Sequence, residues 1–452
     1  MDHPISTIPG PRGHFLMGSI PEIKRDRVKF LLDLQRDYGD VVRIRMGPFA
    51  GVVLFHPDGI QHILQDNHTN YSKETRTYAS LRALAGNGLI CSNGDFWLRQ
   101  RRLMQPAFHQ NQINAMSGMM CLEANSMLER WEPFIRNGQM INVAHEMMRL
   151  TLAIATQALF SSKVHDPDRL LAKSISFLMS DTAFRFENPF YPPLWVPVPR
   201  NQKFNSAIKS FNQVIYSMIS ERRNNPQDQR VDLLDMLMQA REEDTGEMMS
   251  DKQLRDEVVT LFLAGHETSA VALSWTLYLL SQHPEVEKRL RNELHLILAG
   301  RDPTLADLPN LVYTRMIVEE SMRLYPPAWL IERKALADDE IGGYHIRAGT
   351  TLAVTQYVTH RHPDFWDDPE TFKPERFDPQ NSKNRSRYAY FPFGGGPRKC
   401  IGKDMALMEM QLVLSMIVQH CRFELAPGWE VKTEPELSLR LKGGLSMLLK
   451  PL

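Results

Sequence analysis

The spacing of apolar residues changes three times along the chain. From Arg27 to Asp37, Val28, Phe30, Leu31 and Leu34 fall at helical intervals, and Tyr38-Gly39-Asp40 closes the run where a glycine suits a helix C-terminus. Val41–Met46 and Gly51–Phe55 are then short, β-branched-rich stretches around Gly47-Pro48, the pattern of a hairpin. From about Ile60 to Leu336 apolar residues recur every three or four positions, which predicts helices. The breaks are Pro189, Pro192-Pro193, Pro197, Pro199 and the polar stretch Arg222 to Gln229. Short strands return near Ile341 to Val354 and at the end of the chain, where Leu437–Leu441 and Leu445–Leu449 flank Gly443-Gly444. The expected fold class is mainly α with a small β portion, without repeats or an interdomain linker.

Residues 1–15, with Pro9-Gly10-Pro11 and Gly13, read as an extended lead-in, since proline fixes φ and glycine opens turns closed to other residues. They lack the charged-then-apolar pattern of a signal peptide and the roughly 20 apolar residues of a membrane span. A cytoplasmic protein with no membrane anchor is expected. The 452 residues are 43% hydrophobic and 23% charged, enough to bury a large core. Length alone suggests two or three domains. Lysine plus arginine equal aspartate plus glutamate at 53 each, so no bulk field points to nucleic acid. The four cysteines, Cys91, Cys121, Cys400 and Cys421, are scattered and form no disulfide framework, which fits a reducing compartment.

One of the four stands apart. Phe391-Pro392-Phe393-Gly394-Gly395-Gly396-Pro397-Arg398-Lys399-Cys400-Ile401-Gly402 precedes a helical run from Lys403 to Gln419. Consecutive glycines let backbone approach a bulky planar partner, and a sulfur just before a helix N-terminus is favoured as an anion. Such a thiolate suits haem iron, where it favours O–O cleavage. Elsewhere, Leu261 to Ala270 belongs to a long apolar segment from Leu254 to Gln282. There Ala264 and Thr268 share a helix face, with Glu267 beside them. An acid and a hydroxyl inside an apolar helix are costly unless they have partners or a function, although a threonine can simply bond back to the preceding turn.

The cysteine segment resembles the signature of the cytochrome P450 haem-thiolate monooxygenases, matching every fixed position at Phe393, Gly396, Arg398, Cys400 and Gly402. The resemblance implies haem b, with Cys400 as axial iron ligand, Phe393 beside the sulfur and Arg398 on a propionate. It makes Ala264-Gly265 the place where the helix leaves room for O2, and Glu267 and Thr268 the relay that brings protons to it. Trp97 and Arg101, in a Trp-x-x-x-Arg segment, and Arg333 would hold propionates. Glu320, Arg323 and Arg376, in Glu-x-x-Arg and Pro-Glu-Arg-Phe segments, would form a buried structural charge network. Ile90, Ala264, Ala328, Leu330 and Leu439 would line an apolar substrate pocket.

The overall likeness is to soluble bacterial members related to fatty-acid hydroxylases, and it runs from about Pro9 to the C-terminus. It makes residues 1–452 one haem domain that hydroxylates a lipophilic substrate such as a fatty acid, terpenoid or steroid-like molecule. Electrons would come from a separate ferredoxin- or flavodoxin-type donor with its reductase, steered by Arg99, Arg102, Lys399 and Lys403. The competing readings are a peroxide-driven hydroxylase, a non-catalytic haem sensor or electron carrier, and a helical scaffold without cofactor.

Overall fold

The computed structural model describes residues 8–161, 177–185, 188, 191–225, 232–242 and 244–452. The first seven residues of the lead-in, Pro189 and positions 226–229 of the polar stretch lie outside them. The helices that position the site are α1 (Arg27–Tyr38), α2 (Arg76–Ala85), α3 (Gly94–Met104), α4 (Ser117–Arg136), α5 (Val143–Phe160), α6 (Pro199–Asn224), α7 (Asp251–Gln282), α8 (Val312–Leu324) and α9 (Lys403–His420).

Local chemistry sets their ends. The Asp26 carboxylate accepts from the Lys29 N–H at 3.0 Å to start α1, and Gly39 at φ 86° ends it. Pro199 opens α6 in the first turn, where its missing N–H costs nothing. Ser250 and Gln253 form a reciprocal capping box at the start of α7. From Leu254 onward α7 is buried on nearly every side, as an apolar helix through the middle of a core should be. It packs against α5, α8 and α9. The hydrophobic residues of α2 to α9 form one large cluster around it.

The strands form a second region. β1 (Val41–Met46) and β2 (Phe49–Leu54) make the expected hairpin, with Met46 opposite Phe49 and Gly47 at φ 59° in the turn. They join a five-stranded sheet, β1-β2-β8-β5-β3, with β3 (Tyr71–Ser72), β5 (Ile331–Ala335) and β8 (Thr351–Val354). The lead-in is built into this sheet's edge: Ile8 is buried and the Pro9 carbonyl accepts from the Arg43 N–H at 2.8 Å. A side chain at Gly10 would overlap the Arg43 carbonyl.

One reading of the pattern needs correction. β5 lies inside the stretch read as helical, because Glu332, Arg333 and Lys334 hide its two-residue alternation. The two strands expected to flank Gly443-Gly444 are present and belong to different sheets. Leu439–Leu441 (β11) pairs with Thr433–Pro435 (β10), whereas Ser446–Lys450 (β12) lies between Met140–Asn142 (β4) and Arg422–Leu425 (β9). The double glycine passes the chain from one sheet to the other; at Gly444 a Cβ would overlap the Asn142 side chain.

Candidate active site

The cysteine loop is held by its own backbone and by the glycines that let it approach its neighbours. The Cys400 N–H donates to the Phe393 carbonyl at 2.9 Å. Gly396, at φ 64°, places its α-carbon where any Cβ would strike the Leu64 carbonyl, and a Cβ at Gly395 would strike the Tyr388 ring. Of the four cysteines, Cys91, Cys121 and Cys421 are buried, and burial pushes their thiols up to about 11, 11 and 12. Cys400 alone is exposed. The protein crowded around its loop also raises that thiol, while the Gly402 N–H aimed at the sulfur and the nearby Arg101 favour the thiolate. Arg101 further fixes the loop by donating to the Lys399 carbonyl at 3.0 Å.

The second component lies on α7. Through its middle turns this buried helix leaves one stripe open, consisting of Leu261, Ala264, Gly265 and Thr268. Their spacing of three, four and seven residues puts all four on one face. The Thr268 hydroxyl donates back to the Ala264 carbonyl at 2.6 Å. Glu267 is on another face and only 2% exposed. Its carboxylate accepts from the Ser438 hydroxyl and, at 2.5 Å, from Arg440 Nε, whose guanidinium also pairs with Glu436 at 3.2 Å. The acid and the hydroxyl therefore start apart, a separation that adjacency in sequence conceals. Behind Thr268, Ser269 donates to Glu409 of α9 at 3.1 Å, which ties the open stripe to the helix that carries the cysteine loop.

The third component is a cluster of buried cations. Burial and the neighbouring Arg333 and Arg398 hold Lys73 well below the usual ammonium range, and Arg398 is brought down to about 10 by burial and by Arg333. Lys73 is 8% and Arg333 5% exposed. Among the described residues none of the three has a carboxylate within ion-pairing distance, and buried charges of one sign without counter-charge are costly. Arg398 stacks over the Trp97 ring at 4.2 Å, and among the described residues the Trp97 indole N–H has no protein acceptor. This donor set fits a ligand bearing carboxylates, as haem does through its propionates. Lys73 was not singled out by the sequence, because a lone lysine in Tyr71-Ser72-Lys73-Glu74 has no signature of burial.

The remaining candidates separate into three groups. Arg323 makes two bonds to Glu320 at 2.7 and 2.8 Å, and both side chains are fully buried. Arg376 approaches the same carboxylate at 3.4 Å, so the three side chains meet. Ile90 and Ala328 are half-buried, as cavity-wall residues would be. Leu439 is instead fully buried among Val28, Leu31 and Trp329, and Leu330 packs against the same cluster, because the β10–β11 pair folds Leu439 inward. Of the basic residues, Arg102, Lys399 and Lys403 are exposed, but Arg99 is engaged by Glu242 at 2.9 Å and Glu247 at 3.4 Å.

The structure thus presents an exposed cysteine on a glycine-rich loop, an open stripe on the central helix and a cluster of cations without a carboxylate partner among the described residues. The cytochrome P450 family model matches residues 8–450, and the chain belongs to that family. It is 35% identical to cyclooctat-9-en-7-ol 5-monooxygenase of Streptomyces melanosporofaciens, over 94% of this chain and 92% of the relative. It is 32% identical to pentalenene oxygenase of Streptomyces avermitilis, over 94% and 91%. The crystal structure of the cytochrome P450DA heme domain superposes with a TM-score of 0.90 at 27% identity, covering 98% of each chain. The protein is thus a P450 monooxygenase, an oxidoreductase with a haem-iron cofactor. No described helix is long and apolar enough to cross a membrane.

Proposed function

We propose that this monooxygenase binds haem b through Cys400 and hydroxylates a lipophilic, terpenoid-like substrate beside the open stripe of α7. The observation that carries the reading is that Cys400, the one exposed cysteine, and the open stripe of a helix otherwise buried there occur in one chain. When bound, the haem supplies iron for reductive activation of O2, and a thiolate ligand favours O–O cleavage.

The protein's own residues do the rest. Arg398, Arg333, Lys73, Trp97 and Arg101 would offer donors to the propionates, and the small Ala264 and Gly265 would keep a space open. Thr268 exchanges its bond to the Ala264 carbonyl for one toward that space. Glu267 would resupply the proton only after its carboxylate leaves Ser438 and Arg440, takes a proton from solvent and passes it to the Thr268 hydroxyl. Cyclic alkene skeletons, of the kind for which two relatives are named, have the shape and polarity for an apolar wall containing Ile90 and Ala328. The exposed Arg102, Lys399 and Lys403 suit an acidic, separate ferredoxin- or flavodoxin-type donor with its reductase.

Thr268→Ala tests the relay. With a donor system and a substrate found by spin-state titration, product formed per electron consumed should fall about tenfold or more. Unchanged coupling would remove Thr268 from the mechanism.

A further inference from the structure

The stretch Asn87–Ser92, which contains Ile90, is held by acidic side chains on one polar edge and basic side chains on the other. On the donor edge, the Asn87 N–H meets the Asp256 carboxylate at 2.9 Å and the Leu89 N–H meets Glu257 at 2.8 Å. On the acceptor edge, the carbonyls of Ile90, Cys91 and Ser92 accept from Lys73 at 2.7 Å, Arg82 at 2.9 Å and Arg398 at 2.9 Å. The loop also lies directly on α7. A Cβ at Gly86 would come within 2.1 Å of the Asp256 carboxylate, and one at Gly88 within 2.2 Å of the Thr260 hydroxyl.

Helix geometry makes one of these anchors special. Glu257, Leu261, Ala264 and Thr268 are spaced four, three and four apart, so Glu257 heads the open stripe, about 10 Å along the axis from Ala264. It is 1% exposed and reaches the backbone one residue before Ile90.

We infer that Glu257 is a positioning residue that, with Asp256, fixes the Asn87–Ser92 loop as a rigid wall of the substrate cavity and so sets which molecules fit above the stripe. This rests on the stripe being the substrate side of the haem. Two further facts bear on it. Lys73 and Arg398 belong both to the loop clamp and to the cation cluster, so the wall is referenced to the cofactor site as well as to α7. Burial pushes the Glu257 carboxyl up to about 8, so near neutral pH the neutral acid predominates, and glutamine matches it in shape and in its acceptor oxygen.

The test uses the haem-loaded full chain as wild type, Glu257→Ala, Glu257→Gln and Gly88→Ala. One measurement is amide hydrogen exchange of residues 86–92. The other is spectral titration with imidazole and with 4-phenylimidazole, both of which ligate iron but only the second of which needs the wall in place. Glu257→Ala should speed exchange about tenfold and change the ratio of the two dissociation constants, while Glu257→Gln stays within about twofold of wild type on both. Gly88→Ala should shift the ratio while imidazole alone binds as in wild type.

Wild-type exchange and an unchanged ratio in Glu257→Ala would overturn the proposal. Should that variant fail to fold, an unchanged ratio in Gly88→Ala would overturn it. A wild-type protein lacking the thiolate signature in its reduced carbon monoxide spectrum would refute the haem-thiolate reading instead, and the exchange measurement would still decide whether Glu257 holds the loop.

Discussion

A buried carboxylate needs hydrogen-bond partners, and those of Glu267 lie far away in sequence. Glu267 is satisfied by Ser438 and Arg440, which are 171 and 173 residues along the chain. That Thr268 shares a face with Ala264 follows from a four-residue spacing; that Arg440 holds Glu267 on another face does not, because no local pattern encodes a pairing across a fold. The opposite holds at Glu320 and Arg323, three apart on one helix and both fully buried. Replacing Arg323 with alanine would leave the buried Glu320 carboxylate with the Lys373 N–H at 2.9 Å and the more distant Arg376 at 3.4 Å. The expected loss is about 3 to 5 kcal/mol of stability, measured by denaturant unfolding of the haem-loaded protein. A loss below about 1 kcal/mol would show the pair to be dispensable, as surface pairs are.

Between elements, acids are buried where helices and loops meet, and this gives stability a sign with pH. Burial pushes Glu409, between α9 and α7, up to about 8, as it does Glu257. Their folded-state values lie above the usual carboxylate range, so between about pH 4.5 and 8 the native state holds protons that the unfolded chain has released. Their contribution therefore falls as pH rises through that window, with the full penalty reached above pH 8. Glu409→Gln should flatten the decline in denaturation midpoint between pH 6 and 8.5; an undiminished slope would place the titration elsewhere. Elements were legible in proportion to their length and periodicity. The segments read as helical over Leu254–Gln282 and Lys403–Gln419 match α7 and α9 to within a few residues. β5 was hidden because its three central residues are charged, and β12 joined a different sheet than its neighbour β11 because strand partners are chosen by tertiary packing.

At the scale of the molecule, the helical cluster around α7 and the sheet clusters are joined by loops that carry chemistry. Arg333 comes from β5, Arg398 from the cysteine loop and Lys73 from the turn after β3, so the cation cluster exists only once both regions have assembled. Sequence motifs pointed to Arg333 and Arg398 singly, but not to Lys73 or to its place beside both of them. If they hold the haem propionates, Lys73→Met and Arg398→Met should each speed haem transfer to an acceptor apoprotein roughly 10- to 100-fold, the scale of a charge-assisted hydrogen bond. Unchanged transfer rates would assign the cluster to the loop alone.

The claim on which the rest depends is ligation of iron by Cys400. The direct measurement is the carbon monoxide difference spectrum of the reduced protein, recorded for wild type and for Cys400→Ala. Wild type should show the red-shifted Soret band of thiolate ligation and the variant should lack it. Persistence of that band in Cys400→Ala would contradict the account.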